Sequence, residues 1–191
     1  TYQAVSGAGK EGIDELDAQV REHSEGREMT ANILPSASAE KHYPIAFNLI
    51  PQIDVFCDNL YTKEEMKMVN ETKKIMEDYE MRITATTIRV PVYRSHSESV
   101  NIELEKEVDL GAMREALAKF PGVTVQDDPS KQEYPMPLYT SEKDDVYVGR
   151  LRRDESWEKS YNMWVVGDQI RKGAALNTLQ IAETMIKNGW I

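Results

Sequence analysis

The chain has 191 residues, with 23 lysines and arginines against 33 aspartates and glutamates, a net charge of −10 and 40% hydrophobic residues. An acidic surface repels phosphate backbones, which argues against a nucleic-acid partner, and the apolar content is too high for a disordered chain. There is no run of 18 apolar residues, no basic-then-apolar leader and a single cysteine, Cys57. No membrane-spanning helix or signal peptide is visible in these residues, and a disulfide framework or cysteine-rich metal site is not expected; the expectation is a cytoplasmic globular protein of about one domain. The chain begins at Thr1 rather than Met and enters an apolar stretch at once, which leads us to expect a fragment.

Residues 1–6 have the pattern of a strand cut short. In 11–23, Ile13, Leu16 and Val20 recur at spacings of three and four, which predicts an amphipathic helix. Residues 24–44 are polar and carry Gly26, Pro35 and Pro44, so a mobile excursion is expected there. Ile45 to Ile50 is expected to be a strand. Thr62 to Glu80 is the clearest helix: Thr62-x-x-Glu65 forms a capping box, and Met68, Val69, Thr72, Ile75, Met76 and Tyr79 share a face expected to pack into the core.

Ile83 to Val92 is rich in β-branched residues and predicts a strand with Thr87 and Arg89 on one side and Ile88, Val90 and Val92 on the other. A second strand follows at 97–104, a helix capped by Asp109 over 109–119, a short strand at 123–126 and a proline-rich loop at 127–142. Two further strands, 146–153 and 161–166, precede a helix capped by Asp168 and ended by Gly189. The short links between 83–92 and 97–104, and between 146–153 and 161–166, predict antiparallel pairing. The fold class expected is α+β, a mostly antiparallel or mixed sheet with helices on one face.

Chemistry-bearing residues are few. Gly7-x-Gly9-x-x-Gly12 matches a phosphate-cradling pattern, but no hydrophobic strand ending in an acidic residue follows the helix, which argues against a dinucleotide fingerprint. Cys57 lies among Asp54 and Asp58, whose charge disfavours the thiolate, so it is expected to be structural. His23 and His42 have polar neighbours and are expected to be solvated. His96 lies between strands near Arg89 and Arg94, and this group could form an anion site beside a titratable imidazole. Seven residues of straight strand span roughly 23 Å, so Arg89 and His96 can serve one ligand only if the chain bends between 91 and 95. Glu71 and Lys74 are by themselves an ordinary helical ion pair, and Gly173-Ala174-Ala175 an ordinary small-residue packing stretch.

Four stretches together resemble one family. Tyr2-Gln-Ala-Val-Ser-Gly-Ala-Gly9, Val69-Asn-Glu-Thr-Lys-Lys-Ile-Met76, Arg89-Val-Pro-Val-Tyr-Arg-Ser-His96 and the helix from Val166 through Asn177 to Glu183 are similar, in this order and spacing, to segments of aspartate-β-semialdehyde dehydrogenase. The resemblance implies a catalytic and dimerisation domain over 1–166, like that of glyceraldehyde-3-phosphate dehydrogenase. It implies a C-terminal helix over 167–191 that returns to an N-terminal Rossmann domain, here missing, as is the Asn-Cys-x-Thr segment that carries the nucleophile. The implied reaction reduces β-aspartyl phosphate with NADPH through a cysteine thioester, in the aspartate pathway to lysine, methionine and threonine. The implied roles are general acid/base for His96, substrate orientation for Gln3, a carboxylate clamp for Arg89, an ammonium partner for Glu71 and a phosphate-site cation for Lys74. Ser6, Gly7 and Asn177 are implied as NADP contacts. A homodimer follows from the same resemblance, no metal does, and the chain alone is expected to be inactive. A non-catalytic dimerising, ligand-binding module is the alternative. N-acetyl-glutamyl-phosphate reductase is a further relative to weigh; the pairing of Glu71 with Arg89, suited to a substrate with a free ammonium, speaks against it.

Overall fold

A computed structural model describes all of residues 1–191. The chain divides into two compact units, Thr1–Tyr93 and Arg94–Ile191, and both combine strands with helices.

In the first unit, β1 (Tyr2–Ala4) leads through a 3-10 turn (Val5–Ala8) into α1 (Gly9–Ser24). Gly12 lets the first turn of α1 press on the preceding segment, since a Cβ there would lie 2.6 Å from the Val5 carbonyl oxygen. The glycine pattern thus serves a tight strand–turn–helix junction. The chain then runs without a regular element to α2 (Lys63–Met76) and on to β2 (Ile88–Val90), which pairs in parallel with β1, Gln3 opposite Arg89. Leu16 of α1 packs with Val5, Leu34, Ile45, Ala46 and Ile50 in the core of this unit.

The second unit contains β3 (His96–Glu103), α3 (Leu110–Lys119), β4 (Val123–Val125), a short α4 (Pro137–Thr140), β5 (Val146–Arg153), β6 (Ser160–Gly167) and α5 (Leu176–Lys187). β6 pairs antiparallel with both β3 and β5, and β4 pairs parallel with β5, so the sheet is mixed. Met113 of α3 packs with Val148, Leu151 and Tyr161 in its core. The α+β class holds, as do the cap of Asp109 on α3 and the antiparallel pairing of β5 with β6.

Four expectations fail, each for a local reason. Residues 45–50 form a turn, not a strand. The backbone N–H groups of Ile45 and Ala46 donate to the Gln19 side chain, and Phe47 is left-handed (φ 60°), so no strand partner is sought until Ile50 bridges to Arg89. The expected β2–β3 hairpin is absent, because β2 takes β1 and β3 takes β6. The chain instead turns between them, with Ser95 at φ 72°. The face of α2 is not core throughout: Met68, Val69 and Thr72 are half-buried, but Ile75, Met76 and Tyr79 are 77%, 59% and 69% exposed. The helix stops at Met76 because Glu77 adopts the left-handed conformation. His23 and His42 are not simply solvated. His23 packs on the Phe47 ring at 4.6 Å between centroids, and the Nε2 of His42 is buried.

The segment expected to be mobile is fastened by side chains. Glu15 of α1 accepts hydrogen bonds from the backbone N–H groups of Asn32, Ile33 and Leu34 at 2.6, 2.8 and 3.0 Å. Gln19, fully buried, also donates to the Thr30 carbonyl. These bonds satisfy an irregular backbone that would otherwise be costly to bury.

Candidate functional site

Arg89 is the centre of the first unit's polar chemistry. Its position on β2 is fixed by the ladder with Gln3 and by the antiparallel bridge to Ile50. The side chain is 2% exposed. Nη1 donates to the Ala4 carbonyl at 2.7 Å, and Nε and Nη2 donate to the Pro35 carbonyl at 3.3 and 3.2 Å. A guanidinium has five N–H donors, so two remain beyond these three bonds. Burial lowers Arg89 to about 10, and Glu64 opposes the shift; the group is a cation at neutral pH. A buried cation on neutral carbonyls is well suited to an incoming anion.

Gly7 makes room for it. A Cβ on Gly7 would lie 2.6 Å from the Arg89 Nη1. Ser6 is buried on the same turn and donates its backbone N–H to the Tyr93 carbonyl at 3.1 Å. Gln3 is buried on β1 and donates through Nε2 to Glu64 at 3.1 Å.

Glu64 joins these residues to α2. The capping box starts this helix as expected: the Thr62 hydroxyl accepts from the Glu65 N–H, and the Glu65 carboxylate accepts from the Thr62 N–H. The Glu65 carboxylate also accepts from the Thr87 N–H at 2.9 Å, tying the helix start to the chain entering β2. Glu71, seven residues beyond Glu64, lies within about 20° of the same helix face and ~10 Å along the axis. Lys74 lies ~15 Å along the axis. Both are exposed. The structure therefore brings Gln3, Gly7 and Arg89 together and leaves Glu71 and Lys74 further out on the helix that Glu64 docks. Glu64 was missed by sequence reasoning, although its seven-residue spacing from Glu71 was a usable signal.

In the second unit His96 opens β3 opposite Gly167 and is half-buried. Glu98 shares its strand face, and burial pushes this carboxyl above its ordinary value. The approach to His96 is held by Asp168, which is fully buried. Its carboxylate accepts from the N–H groups of Glu142, Ile170 and Arg171 at 2.7, 3.0 and 3.1 Å and pairs with the Arg94 Nε at 2.6 Å. Burial pushes Asp168 up, but the hydrogen bonds from Glu142, Arg171 and Arg94 outweigh it and leave the carboxyl below its ordinary range. Asp168 does not cap α5, which starts at Leu176 with no side-chain cap; it holds the turn entering the π-helical stretch Arg171–Ala175 that precedes α5, and it also anchors Arg94. Asn177 lies apart from these groups, in an open groove of about 620 Å³ with Gly122, Lys172, Gln180 and Trp190. Cys57 is half-buried, and its N–H donates to the Tyr61 carbonyl at 2.7 Å.

The family described as "semialdehyde dehydrogenase, dimerisation domain" matches residues 1–172. Aspartate-semialdehyde dehydrogenase of Aquifex aeolicus is 50% identical over 191 residues, all of this chain and 54% of that protein. The Bacillus subtilis protein of the same name is 50% identical over 188 residues, covering 98% of this chain and 54% of its own length. Aspartate semialdehyde dehydrogenase II of Vibrio cholerae, solved in complex with ASA, superposes with a TM-score of 0.88 at 42% identity, over 97% of this chain and 53% of that one. The chain spans about half the length of the curated relatives it matches. The extent of these matches shows that the chain belongs to the semialdehyde dehydrogenase dimerisation-domain family.

Proposed function

We propose that this chain is the substrate-binding and dimerising part of an NADP-dependent aspartate-semialdehyde dehydrogenase, a cytoplasmic homodimer that reduces β-aspartyl phosphate to aspartate semialdehyde. The observation that carries the reading is Arg89, a buried cation with two N–H donors left after its three bonds to the Ala4 and Pro35 carbonyls. A planar fork in this state suits an oxyanion that can accept two N–H bonds, and the resemblance assigns it the substrate carboxylate. Gln3, held by Glu64, orients the substrate beside it. The resemblance gives Glu71 the substrate ammonium and Lys74 the phosphate, but both sit further out on α2, and Glu64, which accepts from Gln3 and acts electrostatically on Arg89, is the nearer carboxylate for an ammonium. His96 moves the proton as general acid and base.

Two features bear on NADP. Gly7 is exposed on the turn after β1, where the bare backbone allows close approach, and Asn177 lines an open groove with Lys172. These residues fit a cofactor contact, with Ser6 fixing the turn. NADPH supplies the hydride when bound. The acyl-transfer step calls for a cysteine in an Asn-Cys-x-Thr context, which residues 1–191 do not contain. Cys57 is not offered in its place. Division into a domain over 1–166 and a helix over 167–191 belongs to the same proposal.

The test is phosphate-dependent reduction of NADP by aspartate semialdehyde, with the chain alone and with the part of the Aquifex relative that this chain does not match supplied in trans. The expected result is no turnover alone and turnover in the mixture. No turnover in either, with L-aspartate still bound in calorimetry, would replace this reading with a dimerising, ligand-binding module.

A further inference from the structure

Glu15 has no place in the chemistry proposed above, yet it leads to Arg89 in two steps. It is a buried carboxylate on α1, and it gathers three consecutive backbone N–H groups, those of Asn32, Ile33 and Leu34. The series ends at Leu34 because the next residue is Pro35, which has no N–H to give. Pro35 has only its carbonyl for hydrogen bonding, and that carbonyl accepts both Nε and Nη2 of Arg89. Pro35 is itself fully buried. The clasp therefore ends one residue before the acceptor that sets the plane of the guanidinium.

We infer that Glu15 is a positioning residue for Arg89, acting through the backbone of residues 32–35. With Nε and Nη2 tied on one side and Nη1 on the Ala4 carbonyl, the guanidinium keeps one orientation before any ligand arrives. Pre-ordering of this kind spares the side chain the rotamer entropy it would otherwise lose on binding. A glutamine at position 15 cannot replace the carboxylate: its amide nitrogen would turn a donor toward backbone donors. Lost restraint at 32–34 would release the Pro35 carbonyl and with it the fork. The functional consequence rests on the reading of Arg89 as a carboxylate clamp, whereas the positioning itself does not.

The experiment follows the arginine Nε–H resonances of the 191-residue chain by proton–nitrogen NMR, with the Arg89 signal assigned by its loss in Arg89→Lys. The wild-type signal should be protected from exchange. Glu15→Gln should move it and cut its protection at least tenfold while the backbone spectrum stays dispersed. The same variant should weaken L-aspartate binding at least tenfold in calorimetry. An Arg89 signal unchanged in Glu15→Gln overturns the inference. A signal that moves while the wild type binds no aspartate keeps the positioning and removes the clamp. Should Glu15→Gln fail to fold, Glu15→Asp, which keeps the charge but withdraws the acceptor by one methylene, carries the same test.

Discussion

The segment from residue 25 to 62 and the sheet of the second unit satisfy their backbones in opposite ways. In the sheet, β3, β6 and β5 exchange hydrogen bonds among themselves over eight-residue strands, and side chains are left to pack. In the segment 25–62 the backbone has few partners of its own kind, and side chains from α1 substitute for them, Glu15 for residues 32–34 and Gln19 for residues 30, 45 and 46. A ladder spreads the load over many equivalent bonds. A side-chain clasp concentrates it on one or two residues, so single substitutions should unfasten the segment far more readily than the sheet.

The largest effect is expected at Gln19. Gln19→Leu keeps the volume but leaves the N–H groups of Ile45 and Ala46 and the Thr30 carbonyl without partners. At ~1–3 kcal/mol for each stranded buried group, the loss should be about 4 kcal/mol, read as a lower urea midpoint at unchanged slope. A loss under about 1 kcal/mol would mean that water reaches this backbone and that the clasp is not what holds it.

Asp168 is the counterpart in the second unit, a carboxylate collecting three backbone N–H groups and a guanidinium at the end of β6. Asp168→Asn should cost about 2 kcal/mol at neutral pH, as expected for hydrogen bonds to a charged group. Its folded-state value lies below the ordinary 3.8. Its contribution is therefore complete above that ordinary value and is lost as pH falls through the lower, folded-state value. The wild type should lose stability on acidification over this range, and the variant should lose less. Equal acid sensitivity in the two proteins would remove Asp168 from this role.

The smallest effect sharpens the comparison from the exposed side. Ile75 is 77% exposed on α2, and Ile75→Gln should change stability by less than ~0.5 kcal/mol. A loss several times larger would show that this face of α2 is covered in solution.

The site was partly legible in the sequence. Arg89 was marked by its place in a β-branched run and by the family-like segment around it. Gln3 and Gly7 were marked only by the resemblance. Pro35, Glu15 and Glu64 were not marked at all. Their partners are distant in sequence, 54 residues for Pro35 with Arg89 and 61 for Glu64 with Gln3, and no local periodicity encodes such pairs.

What the sequence determined by itself is local. The Thr62 capping box, the Asp109 cap, and the extent of β3, β5 and α3 follow from contacts within a few residues, where propensity and period decide. Tertiary structure alone decided that β2 pairs with β1 rather than β3, that residues 45–50 are a turn, and that the outer end of α2 stays exposed. Each of these depends on which distant group reaches a backbone first. For Ile45 and Ala46 that group is the Gln19 side chain, and once it has taken their N–H groups no strand can form.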